Sequence, residues 1–177
     1  MLRRGRAQNY AYTLRHVACA GIALVFASGC AAKIKAPPSA PSPLLAQAVP
    51  DFSRPALDGS RIETAALRGR VVVLDFFAEH CVPCAKSLPA IEAMHRSDAA
   101  IAVVGVSEDD DEGGARRMVA RHGLTFPVIH DPSHTLAGRY RVNELPATFV
   151  VDPRGVVRWR GAMDEPKQMQ AVVDEAR

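Results

Sequence analysis

Two uninterrupted apolar runs lie in the middle of the chain. The first covers residues 71–77 and reads Val-Val-Val-Leu-Asp-Phe-Phe, and the second covers residues 101–106. Runs of this length that are rich in β-branched and aromatic residues are typical of central strands, buried on both faces of a sheet. Asp75 is the single charged residue of the first run, so we expect its carboxyl group to be buried.

The rest of this half of the chain alternates between helical and strand patterns. Leu88, Ile91 and Met94 are spaced for one face of a helix that begins at Val82 and ends near Ser97. Weaker patterns predict helices over 116–122, 133–141 and 165–177, and strands over 126–129, 148–151 and 156–159. This order predicts an α/β domain with a mixed sheet flanked by helices on both faces.

The first 29 residues follow a different pattern. Four arginines precede an apolar run over 17–27, which is shorter than the roughly 20 residues that a membrane-spanning helix needs. A basic start, a short apolar middle and small residues at 27–29 are typical of an export signal. The next residue is Cys30, and Ala-Ser-Gly-Cys resembles the lipobox of bacterial lipoproteins, although Ala27 stands where Leu is usual. We predict a lipoprotein signal peptide over 1–29 and lipid attachment at Cys30; an uncleaved anchor and an ordinary cleaved signal are the alternatives.

The predicted export signal also changes how the net charge of the chain is interpreted. The whole chain has 22 basic and 19 acidic residues, a formal charge of +3. Four of the basic residues lie in the predicted signal, which leaves 18 against 19 and a charge near −1. The excess of base therefore belongs to the targeting segment and argues against nucleic-acid binding. We expect an extracytoplasmic protein that is held at the membrane by its lipid.

Residues 30–48 are rich in Ala, Pro and Ser and show no apolar periodicity. Repeated Pro excludes a regular helix, so we predict a partly extended tether here. The folded domain is then expected over 49–177. Within it, the acidic loop over 108–112 lacks the spacing of an EF-hand calcium site and is expected to be a solvated turn. His122, His130 and His134 are expected at the surface.

Cys81 and Cys84 are the only cysteines outside the predicted signal and lipidation site. They lie at the junction of the strand over 71–77 and the helix that follows. The unpaired N–H groups and the positive end of the helix dipole favour a thiolate at Cys81. Cys84 is one turn further on, within disulfide reach, and would resolve a mixed disulfide formed by Cys81. The alternatives are a structural disulfide, which stabilises little when its loop is so small, and half of a zinc site, which lacks a second Cys pair.

Several motifs carry a family resemblance. The main ones are Asp75-Phe-Phe-Ala-Glu-His-Cys-Val-Pro-Cys84 and Leu145-Pro-Ala-Thr-Phe-Val-Val-Asp-Pro-Arg-Gly155, supported by segments at 49–53, 57–59, 67–73 and 123–128. They resemble the TlpA/ResA-like branch of the thioredoxin superfamily over residues 49–177. The resemblance implies a thioredoxin-like fold and a membrane-tethered, extracytoplasmic exchanger or reductant of protein disulfides that needs no cofactor. It implies as partners protein dithiols and disulfides and an upstream electron donor in the membrane, and several members serve cytochrome c maturation. We expect a monomer.

The resemblance also assigns roles to single residues. Cys81 matches the attacking cysteine and Cys84 the resolving one. Pro146 matches a proline that is cis in this fold and lies beside the disulfide; an ordinary trans proline is the alternative. Asp75 matches the buried Asp six residues before the first Cys. Burial raises the pKa of a carboxyl group, so Asp75 could take and return the proton of Cys84, unless it only bonds local backbone.

Two positions depart from the family pattern. Ser87 stands where a Glu is common, three residues after the second Cys, which leaves the proton handling to Asp75 or slows the reaction. His80 replaces the Trp that is common before the first Cys. When protonated, His80 would favour the Cys81 thiolate; an inert, exposed imidazole is the alternative.

Two other functions on the same fold stay open. A Sco-like copper chaperone uses two Cys and a distant His, but usually spaces its Cys by three residues rather than two. A peroxiredoxin-like peroxidase is expected to have a Thr three residues before the reactive Cys, where this chain has Ala78.

Overall fold

The two apolar runs form the centre of a five-stranded sheet. The computed structural model describes residues 34–162 and 165–177. The elements in chain order are β1 (Ser53–Pro55), β2 (Arg61–Glu63), a 3₁₀ turn (Thr64–Leu67), β3 (Val71–Phe77), α1 (Val82–Ser97), β4 (Ile101–Ser107), α2 (Glu112–His122), β5 (Val128–His130), α3 (Thr135–Arg139), β6 (Ala147–Val151), β7 (Val157–Gly161) and α4 (Pro166–Glu175). The sheet order is β5-β4-β3-β6-β7, with β3, β4 and β5 parallel and β6 and β7 antiparallel to their neighbours.

Helices cover both faces of this sheet. Because side chains along a strand point alternately to opposite faces, Val73 and Phe77 pack in one apolar cluster with α1 and α4, whereas Leu74 and Phe76 pack in a second cluster with α3. The predicted α/β architecture, a mixed sheet between helices, is confirmed. Asp75 shares its face with Val73 and Phe77, which is the face that α1 covers.

The observed start of α2 differs from the predicted one, because capping residues set where the helix begins and ends. α2 begins four residues before the predicted start at 116, because Asp111 caps it: the Asp111 Oδ1 atom accepts a hydrogen bond of 3.0 Å from the Gly114 N–H. The helix ends at Gly123, whose φ of 58° is left-handed. The strands β1 and β2 were not predicted, since three residues are too few to show a period.

Residues 37–48, called the strap here, lie against β7. The Ala46 N–H donates to the Val157 carbonyl and the Val157 N–H to the Gln47 carbonyl, both at 2.9 Å, and Trp159 Nε1 donates to the Pro37 carbonyl at 3.0 Å. The prediction of a tether over 30–48 is therefore wrong for residues 37–48. The physical reason is that β7 is the last strand of the sheet, and its unpaired backbone groups take the strap as a partner.

The predicted signal peptide over 1–29 and Cys30 lie outside the described residues and stay predictions. None of the helices that the structure describes combines the length and the apolar character needed to cross a bilayer.

Candidate functional site

The two cysteines form a disulfide at the start of α1. The Cα atoms of Cys81 and Cys84 are 5.3 Å apart, and the sulfur atoms are bonded. Cys81 is the N-cap of the helix, and its Sγ accepts a hydrogen bond of 3.2 Å from the Cys84 N–H. Pro83 lies in the first turn, where its missing N–H leaves no helical hydrogen bond unmade. In the reduced protein, the Cys84 N–H would stabilise a thiolate at Cys81.

The two cysteines differ in their exposure and in their surroundings. Cys81 is 7% exposed, and Cys84 is completely buried. Cys81 also lines an open groove, whereas Cys84 packs in the apolar cluster of α1. Of the two cysteines, Cys81 is therefore the one that faces a substrate sulfur in the groove, whereas Cys84 has no exposed surface.

Asp75 lies buried in the sheet on the α1 face, as predicted from its place in the apolar run. Its side chain has no exposed surface, and burial raises the pKa of its carboxyl group to about 7. The Thr148 hydroxyl donates a hydrogen bond of 2.6 Å to Asp75 Oδ1, which opposes the rise. Asp75 Oδ2 has no hydrogen-bond partner among the described residues. We call Asp75, Thr148 and Cys84 the floor of the site.

His80 lies at the rim of the groove, whereas Pro146 is buried and directly follows the groove-lining Leu145. The Leu145–Pro146 peptide bond is cis, as the resemblance implies, and Leu145 lines the groove together with Cys81. His80 is exposed and lines the same groove. Ser87, at the position where relatives often have Glu, is buried and donates a hydrogen bond of 3.1 Å to the Cys84 carbonyl.

The groove is built from three segments that sequence patterns did not connect. Its walls come from the active-site loop, the end of β4 and the stretch from α3 to β6, and its lining residues are His80, Cys81, Val82, Pro83, Glu108, His134, Ala137, Gly138, Val142, Asn143, Glu144 and Leu145. Val82 is the most exposed of the large apolar side chains that the structure describes. The groove therefore offers an apolar and acidic surface directly beside the exchangeable sulfur.

One expectation about this region is wrong. The loop over 108–112 is not solvated throughout, because Glu108 and Asp109 are both buried. Glu108 Oε2 is 2.6 Å from Nδ1 of His134, and Asp109 Oδ1 accepts a hydrogen bond of 2.8 Å from the Glu79 N–H. The sequence signal was available only in part: Glu108 directly follows a buried strand, but its partner lies 26 residues further along the chain.

Comparisons with known proteins agree with this architecture. Residues 45–160 match the model of the AhpC/TSA family. The chain is 30% identical over 110 residues to the thiol-disulfide oxidoreductase ResA of Bacillus thuringiensis (strain Al Hakam), which covers 61% of this chain and 64% of that protein. It is 34% identical over 116 residues to the thioredoxin-like protein YneN of Bacillus subtilis (strain 168), covering 63% of this chain and 68% of the relative. The chain thus spans somewhat less than two thirds of the length of the ResA relative.

A solved structure gives the same result for the fold. A protein described as a DsbE thiol:disulfide interchange protein, from Chlorobium tepidum, superposes with a TM-score of 0.64 at 29% identity, over 71% of this chain and 95% of that one. The predicted thioredoxin-like fold and the predicted relation to the ResA proteins are confirmed. Because the family model covers well over half of its residues, this chain belongs to the AhpC/TSA family.

Proposed function

We propose that the protein is an extracytoplasmic, lipid-anchored thiol-disulfide oxidoreductase that exchanges protein disulfides through Cys81 and Cys84. One observation carries the proposal: a disulfide joins a groove-lining cysteine to a buried one, on the face of the sheet that also buries a carboxyl group. Relatives that are named thiol-disulfide oxidoreductases support it. Reduction of substrate disulfides, including those of proteins in cytochrome c maturation, is the direction we propose.

The chemistry runs in two exchanges. In the reduced protein the Cys81 thiolate attacks one sulfur of a substrate disulfide; a bond forms between Cys81 Sγ and that sulfur, and the other substrate sulfur leaves. The Cys84 thiolate then attacks Cys81 Sγ, which breaks the mixed disulfide and releases the second substrate sulfur. The substrate gains two electrons, and the protein is left with the Cys81–Cys84 disulfide. A dithiol donor must reduce it again, and we propose that this donor lies in the membrane.

Asp75 supplies the proton handling for the second exchange. A carboxyl group with a pKa of about 7 exchanges protons readily near neutral pH. Its place on the α1 face puts it on the side of the sheet where Cys84 packs. We propose that Asp75 takes the proton of Cys84 when this thiol attacks and returns it when the disulfide is reduced.

The location follows from the predicted signal and Cys30. With Cys30 lipidated, the seven residues from Cys30 to Ala36 would join the lipid to the strap. The domain would then remain close to the membrane, where an upstream donor can reach it. Cys30→Ser should abolish lipid labelling and release the protein from the membrane; retention without label would contradict lipid attachment at Cys30.

The assignment of roles is tested by trapping. Reduced Cys84→Ser protein should accumulate mixed disulfides with substrate proteins, because Cys81 can attack but nothing resolves the product. Cys81→Ser should trap none, since its remaining thiol is buried. The readout is the mass of the adducts on a non-reducing gel and by mass spectrometry, and equal trapping by the two variants would overturn the assignment.

Copper delivery and peroxide reduction remain the alternatives. Both make demands that the exchange function does not make: stoichiometric binding of copper by the reduced protein, or turnover of a hydroperoxide with formation of the Cys81–Cys84 disulfide. Copper titration and a peroxide assay on the reduced protein separate all three functions.

A further inference from the structure

The ends of three parallel strands meet at the groove. Cys81 follows β3, Glu108 follows β4, and His134 follows β5, so the three residues come from the same edge of the sheet. The Glu108 N–H donates a hydrogen bond of 2.8 Å to the carbonyl of Phe77, the last residue of β3. Glu108 is therefore fixed to the strand that leads into the active-site loop. All three side chains line the groove.

Glu108 and His134 form a close pair. The Glu108 side chain is 6% exposed, and its Oε2 atom is 2.6 Å from Nδ1 of His134. Glu108 Oε1 is buried and has no hydrogen-bond partner among the described residues. The His134 ring is 54% exposed, and within residues 34–162 and 165–177 no hydrogen bond engages its Nε2 atom. A carboxylate on Nδ1 fixes the orientation of an imidazole and leaves Nε2 as the nitrogen that can exchange a proton.

The backbone of His134 is in an unusual conformation. Its φ of 51° and ψ of 25° are left-handed, a region that residues other than Gly rarely adopt. Two hydrogen bonds keep it there: the His134 N–H donates to the Asp131 carbonyl and the Gly138 N–H donates to the His134 carbonyl, at 2.9 and 2.8 Å. Conformations of this kind persist only where the surrounding structure imposes them, and they occur often at functional sites.

The exchange reaction leaves one proton unaccounted for. When Cys81 attacks a substrate disulfide, the departing substrate sulfur carries the electron pair of the broken bond, and an alkyl thiolate leaves more slowly than a thiolate of lower pKa. Asp75 is buried in the floor and serves Cys84, so it does not reach a sulfur in the groove. We propose that His134, oriented by Glu108, gives this proton from Nε2 to the departing substrate sulfur, and takes it back when exchange runs in reverse. The inference rests on the proposed exchange function.

The charges around the pair favour a protonated ring. Its hydrogen bond to Glu108 raises the pKa of His134, and the nearby carboxylates of Asp110 and Asp131 raise it further, against the effect of desolvation. Burial in turn raises the pKa of Glu108, as do the charges of Asp109 and Asp131, while His134 opposes the rise. Among the residues that the structure describes, the other titratable groups that line the groove are Cys81, His80 and Glu144.

The test compares two substrates in single turnovers of the reduced protein between pH 5 and pH 9. Dithiodiethanol releases an alkyl thiolate that benefits from a proton donor, whereas dithiodipyridine releases a weakly basic thiolate that leaves without one. His134→Asn removes the imidazole but keeps a residue that tolerates a left-handed backbone. At the acidic end of this range, where the ring of His134 is protonated, this variant should reduce dithiodiethanol on the order of 10²-fold more slowly, the lower range for general acid help, with little change for dithiodipyridine.

Two further variants separate proton donation from a structural role. The rate of dithiodiethanol reduction should have a limb in its pH profile where His134 loses its proton. Glu108→Gln should move this limb to lower pH, because His134 loses the carboxylate that raises its pKa. Glu144→Gln, at the other carboxylate of the groove, and His130→Gln, at an imidazole whose Nε2 contacts the Asp109 carbonyl, should leave the limb in place. If reduced wild-type protein reacts with neither disulfide, the proposed exchange function fails. If wild type reacts with both and His134→Asn slows both equally or neither, the proton-donor inference is overturned.

Discussion

The floor beneath Cys84 and the groove beside Cys81 each hold a buried carboxyl group, but the two groups have different partners. Asp75 has a neutral hydroxyl as its only described hydrogen-bond donor, from Thr148, so burial dominates and its pKa rises to about 7. Glu108 has an imidazole, which opposes the effect of burial on its pKa and whose own pKa is raised in return. The pKa that rises in the floor is therefore that of the carboxyl group of Asp75, whereas in the groove the pKa values of both Glu108 and His134 rise.

This difference supports the proposed assignment of each region to one half of the exchange. A proton acceptor without access to solvent suits Cys84, whose partner sulfur is always Cys81. A donor on a half-exposed ring suits a sulfur that arrives with the substrate and leaves again. In the proposed mechanism the same residue type, a buried carboxylic acid, serves both halves of the exchange, because its nearest neighbour decides which group carries the proton.

The largest expected effect concerns the pH dependence of stability. Because the folded pKa of Asp75 is raised, the native state binds this proton more tightly than the unfolded chain does. Its stabilising contribution is present below the unfolded pKa of about 3.9 and is lost as the pH rises through about 7, a change of about 4 kcal/mol in the free energy of unfolding. Denaturant unfolding of the oxidised protein should show this loss, and Asp75→Asn should remove it.

Asp58 provides a control in which the pH dependence of stability has the opposite sign. This exposed carboxylate accepts a hydrogen bond from the Ser60 N–H, and the hydrogen bonds of Ser60 lower its pKa. Asp58→Asn should therefore cost a little stability, and this cost should be present above the unfolded pKa of about 3.9 and be lost as the pH falls through the lower folded pKa. A stability difference between Asp75→Asn and wild type that does not change with pH would mean that Asp75 is ionised like an ordinary surface carboxylate.

The second effect concerns the rate of resolution. If Asp75 accepts the Cys84 proton, Asp75→Asn should slow the breakdown of the mixed disulfide near neutral pH on the order of 10²-fold. Alkylation of Cys81 at low pH should stay close to wild type. Stopped-flow release of a fluorescent thiol from the mixed disulfide measures the first rate. Glu92→Gln is the matched control, because Glu92 is a buried carboxylate on α1 that bonds Thr125 and Arg96 instead.

The smallest effect concerns Thr148. Its hydroxyl lowers the pKa of Asp75 by donating a hydrogen bond, and Val has nearly the same shape without the donor. Thr148→Val should move the midpoint of the resolution rate upward by about one pH unit, as expected for one hydrogen bond to a charged acceptor. An unchanged or lowered midpoint would show that Asp75 does not govern this step.

The sequence predicted the floor better than the groove. Asp75 was identifiable because a single charge interrupts an apolar run of seven residues, and Cys81 and Cys84 because their spacing fits the first turn of a helix. Each of these signals lies within about ten residues of the chain. Glu108 and His134 are polar residues 26 positions apart, and only the parallel pairing of β4 and β5 brings them together. The contact between the strap and β7 was missed for the same reason, since its hydrogen bonds span more than 100 residues.

The most direct measurement of the central claim is site-resolved alkylation of the reduced, folded protein. Iodoacetamide would be added for a short time at neutral pH, and mass spectrometry would give the extent of modification at each cysteine. The account predicts that Cys81 is modified and that Cys84 becomes modified only after unfolding, because Cys81 lines the groove and Cys84 has no exposed surface. Equal modification of the two cysteines, or modification of Cys84 first, would contradict the division between an outer, attacking sulfur and a buried, resolving one.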